Sequence, residues 1–365
     1  MSEPLVYLNG RMVPASQAHL AIYDAGIVLG ATVTEQTRTF HKRLWRLDDH
    51  LDRLFRSLRY ARMNIGLSKE QLAGISNELV EHNARLLDDA EELGLIHFVT
   101  AGEYLTYAGV SRGSATTGGT PVPPTGGTPV PPTGGTPVLP TGGTPVPPTG
   151  ETPVPPGPTG ETPVPPRPTV CVHTFPLPFE MWAKKMLSGA HVVTPSIRQV
   201  PPQCYDPKMK CRSRMHYYLA EQEARLVDPE ASALLLDLAG NVTETSAANF
   251  LIVERGGIVS PTTVNTLTGV SRAMVHELAG KLGIPFVERD FQVYDVMNAD
   301  EAFTTSTPYC LMPVTKINGV AIGNGEPGPM TRRLLAAWSA EVGLDIEKQI
   351  QEGAALRMKR EQERS

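Results

Sequence analysis

The sequence predicts an α+β protein of about two domains, with a helix-bearing N-terminal part and a sheet-rich C-terminal part. Three observations carry that expectation. The chain has 365 residues, 41% of them hydrophobic and 19% charged, a globular composition with room for about two domains. Helical spacing of apolar residues is confined to a few segments, while short β-branched runs bounded by glycine, proline and asparagine fill much of the rest. A Pro/Gly/Thr repeat tract separates two strand-like runs.

In chain order, "PLVYLNGRMVP" reads as a hairpin turning at Asn9-Gly10, a pair suited to the two-residue turn. "RLDDHLDRLFRSLRYARM" places Leu47, Leu51, Leu54 and Leu58 at helical spacing, with Asp48 as the expected N-cap. "LGLIHFVTAGEYL" is strand-like. From Thr117 to Pro166 follow six near-copies of "TGGTPVPP", with Leu139, Glu151 and Glu161 as variations. Such a tract lacks the apolar surface to offset ordering entropy and is expected to be extended and disordered. "TVCVHTFPLP" beyond it is strand-like again, so the tract reads as an enlarged hairpin connection. Its "PVPP" units also resemble ligands of SH3- or WW-type domains.

Met215, Tyr218, Leu219 and Gln222 recur at helical spacing. Strands "ALLLDL", "NFLIVE" and "GIVSP" come next, with a turn at Ala239 to Asn241. The helix "VSRAMVHELAGKLG" ends at Gly283, a C-cap glycine. "PFVERDF", a short helical piece near "YDVMNADE", the strand "EAFTTST" and a hairpin at Asn318-Gly319 complete the pattern. The expected organisation is a small N-terminal domain from 1–113 and 169–188, the insertion 114–168, a large domain 189–345, and a charged C-terminal tail 346–365.

Net charge is −5, without the basic footprint of a nucleic-acid binder. Cys171, Cys204, Cys211 and Cys310 stand singly, with no metal-ligand or disulfide spacing, which suits a reducing cytoplasm. No apolar run reaches membrane-spanning length and the N-terminus does not read as a signal peptide. A cytoplasmic protein without a metal site is the expectation.

Three stretches hold candidate chemistry. "DPKMKCRSRMHYY" crowds two lysines and two arginines before a helix, the end where the macrodipole disfavours positive charge. Either these are solvated surface residues, or an anion sits nearby or a lysine is used chemically. "NTLTGVSR" opens a helix with hydroxyls and free backbone N–H groups, which serves as a cap or as a phosphate site. "GNVTETSAANFLIV" sets Glu244 before an apolar strand, either at an exposed strand end or buried with a partner. A lysine, a carboxylate and a phosphate-type helix start, in that order, are the parts that hold pyridoxal phosphate.

With "VYLNG", "RLDDHLDRLFRS", "KCRSRMHYYLAEQEA", "GNVTETSAANFLIV", "LTGVSR" and "TSTPYCLMPVTKING" in that order, the chain resembles the class IV, fold-type IV pyridoxal 5′-phosphate-dependent aminotransferases. That group holds branched-chain and D-amino-acid aminotransferases and aminodeoxychorismate lyases. The resemblance implies the two-domain fold-type IV architecture, a homodimer, and a Schiff base between the cofactor and the lysine thirteen residues before Glu223, which is Lys210 and not Lys208. It further implies Glu244 at the pyridine nitrogen and Arg53 at the phosphate, three residues after His50. Leu267, Val270, Ser271 and Thr307 fall at the ring and phosphate.

The implied reaction is transamination between an L-amino acid, with branched-chain substrates favoured, and a 2-oxo acid. Three departures from the family pattern bear on substrate. Thr34 stands where several relatives carry an aromatic residue. Ala101 stands where D-amino-acid enzymes carry an arginine. Pro308 has no backbone N–H to offer a carboxylate, so Arg38 or Arg214 would hold it instead. "KCRSR" also resembles the lyase subgroup, making pyruvate elimination from aminodeoxychorismate the alternative reaction; a non-catalytic, partner-binding relative is the alternative of another class.

Overall fold

A computed structural model describes residues 3–108 and 167–364. The repeat tract Thr117–Pro166, and the disorder expected of it, lie outside the described residues. The α+β expectation is met by two sheets with helices packed on them.

The first sheet takes β1 (Leu5–Leu8), β2 (Arg11–Pro14), β3 (Thr32–Phe40), β4 (Arg43–Leu44), β5 (Leu93–Thr100) and β6 (Thr169–Pro176) in the order β2-β1-β6-β5-β3-β4. All its pairings are antiparallel. The Asn9-Gly10 turn has both residues at positive φ, 49° and 96°, as the tight hairpin requires. β5 and β6, the strands on either side of the tract, pair from Thr100 opposite Thr169 to Leu93 opposite Pro176. Helices α1 (Leu47–Tyr60) and α2 (Lys69–Ala84) bury Leu51, Leu54, Leu58, Leu72 and Leu79 against Val33, Leu95 and Val172.

The second sheet contains β7 (Ala190–Val193), β8 (Ser232–Leu236), β9 (Val242–Thr245), β10 (Asn249–Glu254), β11 (Gly257–Ser260), β12 (Phe286–Glu288), β13 (Glu301–Ser306), β14 (Cys310–Ile317) and β15 (Val320–Ala321). Its order is β12-β11-β10-β13-β14-β7-β8-β9, and β9 pairs back onto β10 through Glu244 and Asn249. β10, β13, β14, β7, β8 and β9 therefore close a ring. Phe250, Ile252, Leu234, Val314 and Ile317 pack together as one of its cores. Among the described residues the four longer helices that accompany this sheet are α3 (Met215–Val227), α4 (Val270–Leu282), α5 (Pro329–Val342) and α6 (Ile346–Arg364).

Three local expectations are corrected. Asp48 is not the N-cap of α1; the helix starts at Leu47, Arg46 caps it at φ 52°, and Asp48 lies in the first turn, where its charge suits the dipole. In α3 the spaced residues Met215, Tyr218 and Leu219 are exposed, and Ala220 and Ala224 are buried. Small side chains let this helix approach Val193, Ala233 and Leu235 closely. Of the segment 346–365, expected as a charged tail, Ile346–Arg364 forms α6, with Ile346, Ile350 and Ala354 in the core one helical turn apart. Its apolar stripe is hidden among charged residues. Gly353 is required there, because a Cβ would lie 2.3 Å from the Phe179 ring.

Candidate active site

The basic stretch is held against the start of β3. Thr34 donates its N–H to the Lys210 carbonyl (2.8 Å), Arg212 donates its N–H to Thr32 Oγ1 (2.8 Å), and Ser213 Oγ donates to the Gly30 carbonyl. From α1, Ser57 Oγ accepts the Lys210 N–H at 3.3 Å. Lys210 is thereby carried inward while Lys208 stays at the surface, 3.2 Å from Asp206. Burial pulls the Lys210 amine down to about 8; Arg53, Arg214 and Arg212 push the same way and Glu35 opposes them. A neutral amine is accessible near neutral pH, as a nucleophile or base needs.

Behind it lies a buried ion cluster. Glu35 on β3 is fully buried and accepts from Arg53 Nε (2.7 Å) and Nη2 (2.5 Å), with His50 Nδ1 at 3.0 Å. Burial alone would raise its pKa; Arg53 and then His50 hold it well below the usual carboxylate range. The bidentate pair fixes the guanidinium plane. Arg53 Nη1 donates to the Thr268 carbonyl at 3.1 Å, ahead of α4. Gly269 is the N-cap of α4 and no side chain caps it, leaving backbone donors and the positive dipole end for an anion. The capping reading of the threonine and serine residues here is set aside.

Glu244 lies on β9, buried at 6% exposure. One carboxylate oxygen accepts from Tyr217 Oη (2.9 Å) and Gln199 Nε2 (3.3 Å), the other from Asn249 Nδ2 (2.9 Å) and the Leu267 N–H (3.2 Å). All four donors are neutral. Burial raises its pKa against these donors and the more distant Lys210 and Arg214.

A cavity of about 260 Å³ joins these parts. Of the residues the sequence singled out, Arg53, Lys210, Glu244, Leu267, Val270, Ser271, Thr307 and Arg214 line it. Thr34 and Arg38 do not. Thr34 is buried with its hydroxyl donated to the His97 carbonyl at 2.9 Å. Arg38 is 1% exposed and its guanidinium is taken up by the Thr39 and Pro308 carbonyls, Gln349 Oε1 and the Phe40 ring. It joins β3 to the β13–β14 turn and α6, which removes it from the substrate contacts. Gln36, Arg212 and Tyr217, missed in the sequence, line the cavity. Strand alternation from Thr34 would have found Gln36, and the charge of "KCRSR" pointed at Arg212 as much as at Arg214.

Among the described residues no group of histidine, cysteine or carboxylate side chains is suited to a metal ion, and no helix is long and apolar enough to cross a membrane. The family model described as amino-transferase class IV matches residues 154–317. A Methanocaldococcus jannaschii protein bearing a branched-chain-amino-acid aminotransferase name is 26% identical over 90% of this chain and 93% of its own. The D-alanine aminotransferase of Bacillus licheniformis is also 26% identical, over 91% of this chain and 95% of its own. In fold, the Escherichia coli branched-chain amino acid aminotransferase superposes with a TM-score of 0.71 at 20% identity, covering 94% of this chain and 94% of that one. Another structure of that fold holds N-(5′-phosphopyridoxyl)-L-glutamate. Residues 154–317 thus match the class IV aminotransferases, and the fold is shared with branched-chain amino acid aminotransferases, one of them solved with pyridoxamine 5′-phosphate.

Proposed function

We propose that this protein transfers amino groups between an L-amino acid, branched-chain side chains favoured, and a 2-oxo acid, with Lys210 as the reacting amine. The observation that supports it best is one half-buried amine, one buried carboxylate and one uncapped helix start on a single cavity. The residues fit pyridoxal 5′-phosphate. Glu244 is a buried carboxylate satisfied by neutral donors alone, so a protonated ring nitrogen would supply the missing counter-charge. The α4 start with Ser271, Thr307 and Arg53 would take the phosphate, and Leu267 and Val270 would face the ring. When bound, the cofactor supplies an aldehyde that captures amines and a ring that accepts the electrons of the substrate Cα–H bond.

The chain's own residues do the rest. Lys210, its pKa lowered by its surroundings, would hold the cofactor's aldehyde and, when free, would take the proton from the substrate Cα. Glu244 would hold the proton on the cofactor's ring nitrogen. Glu35 holds Arg53 in place. Arg214, on the cavity wall, remains for a substrate carboxylate once Arg38 is bonded elsewhere. A homodimer in the cytoplasm is part of the reading. Exposed Leu29 and Met215, beside the Gly30–Ser213 contact, give it apolar surface.

Arg214 also supports the lyase reading, since that subgroup's motif carries an arginine there. The test is an absorbance spectrum of the purified protein before and after L-leucine, L-glutamate, D-alanine or aminodeoxychorismate. Conversion of a yellow band to the pyridoxamine form by L-leucine or L-glutamate is expected, with Lys210→Ala inactive though folded. Reaction with D-alanine alone, or pyruvate release from aminodeoxychorismate, would overturn it, as would a colourless protein that takes up no cofactor.

A further inference from the structure

Each oxygen of Glu244 faces two donors, and among the described residues neither faces an acceptor. The directions of these bonds are set from outside the site. Val200 donates its N–H to Gln199 Oε1 at 3.2 Å, which turns the buried Gln199 amide so that Nε2 points inward. Nε2 then donates to Tyr217 Oη at 2.8 Å, and Tyr217 Oη donates to Glu244 Oε1 at 2.9 Å. His216 Nε2, 3.1 Å from Gln199 Oε1, holds the same end of the amide. At the second oxygen, Asn249 Nδ2 is oriented likewise by the Leu267 carbonyl at 2.9 Å. A proton on either oxygen would therefore face a donor and cost a hydrogen bond. The surroundings suit the carboxylate, against the burial that favours the acid.

Of the four donors, only Tyr217 comes from the segment that carries Lys210, seven residues further on and within α3. Resting on the pyridoxal 5′-phosphate reading, we infer that Tyr217, aimed by Gln199, is a positioning residue, whose hydroxyl keeps Glu244 ionised and in place for the cofactor's ring nitrogen. Burial and then Glu244 hold the phenol well above its usual range, so it keeps the proton it donates. Its ring has separate contacts, with its centroid 4.1 Å from that of the His216 ring and 4.8 Å from the Arg214 guanidinium. A phenylalanine would keep those contacts, so the hydroxyl can be removed alone.

The test measures binding of pyridoxal 5′-phosphate and of its 1-deaza analogue, in which C–H replaces the ring nitrogen, to the apo-protein by calorimetry. The parent should prefer the nitrogen-bearing compound. Tyr217→Phe should reduce that preference roughly tenfold, the worth of a hydrogen bond to a charged group. Gln199→Leu, which leaves the phenol in place but no longer polarised, should reduce it about two- to threefold. The kcat of Tyr217→Phe with L-leucine or L-glutamate, taken as a ratio to the parent, should be lowest in acid and recover as pH rises. A carboxylate that has lost a donor takes up a proton more easily. Lys210 and Arg214, the cations that act on Glu244, are present in both proteins and cancel in the ratio. Equal weakening of both compounds, an unchanged preference, or a rate deficit independent of pH would overturn the role of Tyr217 and leave the cofactor reading standing. If Tyr217→Phe does not fold, Gln199→Leu decides alone, and a preference kept at the parent's value overturns the role. A parent that binds neither compound overturns the cofactor reading as well.

Discussion

Two sets of arginines face one cavity, and the fold treats them in opposite ways. Arg53 is buried in a bidentate pair with Glu35, with His50 on the same carboxylate. Arg212 and Arg214 stand together without a counter-ion among the described residues. Removing a charge from water is costly unless a partner accompanies it. The first set has that partner within the chain and is complete before any ligand arrives. The second keeps its charge partly in solvent and has no such partner. Compensation therefore separates the part of the site that is framework from the part that stays open.

Breaking the framework should give the largest effect. Glu35→Ala strands Arg53 and His50 in the interior and should cost about 3–5 kcal/mol of stability in chemical denaturation, the range for one half of a buried pair. A loss under about 1 kcal/mol would make Arg53 no better compensated than Arg212.

Acid attacks the same end. His97, paired with Glu35 across β3 and β5, is buried and its pKa is depressed to about 4 by burial, Glu35 opposing and His50 and His173 adding. Its folded pKa lies below the unfolded value near 6.5, so the unfolded chain binds more protons between the two. Stability should be level above pH 6.5 and fall as pH drops toward 4, by on the order of 2 kcal/mol. A denaturation midpoint flat from pH 7 to 4.5 would contradict this.

The smaller effects belong to the open end. With the Lys210 amine near 8, cofactor capture by the apo-protein should speed up roughly tenfold from pH 7 to pH 9 as the neutral fraction grows. A rate independent of pH would mean that the amine is already neutral at pH 7. Least affected is stability in Arg212→Gln, expected within about 0.5 kcal/mol of the parent or slightly higher, because a repulsion is relieved and no bond is lost. A large drop would show an acidic partner for Arg212 and erase the contrast.

Much of the site was legible because its residues lie in short ordered motifs. Lys210, Glu244, Arg53 and the α4 start are carried by local patterns, and all reach the cavity. What was not legible depends on distant pairings. Arg38 looked available until Gln349 and Pro308, 311 and 270 residues away, took its guanidinium. Glu35 passed unnoticed because its role is expressed through Arg53. Met215 and Tyr218 were spaced like a buried face, yet α3 packs through alanines.

By itself the sequence determined the α+β class and the hairpins at Asn9-Gly10 and Asn318-Gly319, set by local propensity and spacing, and the family resemblance that singles out Lys210 as the candidate lysine. Only the tertiary structure decided which charges are compensated. Hydration and Coulomb energy depend on what stands within a few ångströms, and those neighbours come from strands and helices far apart along the chain.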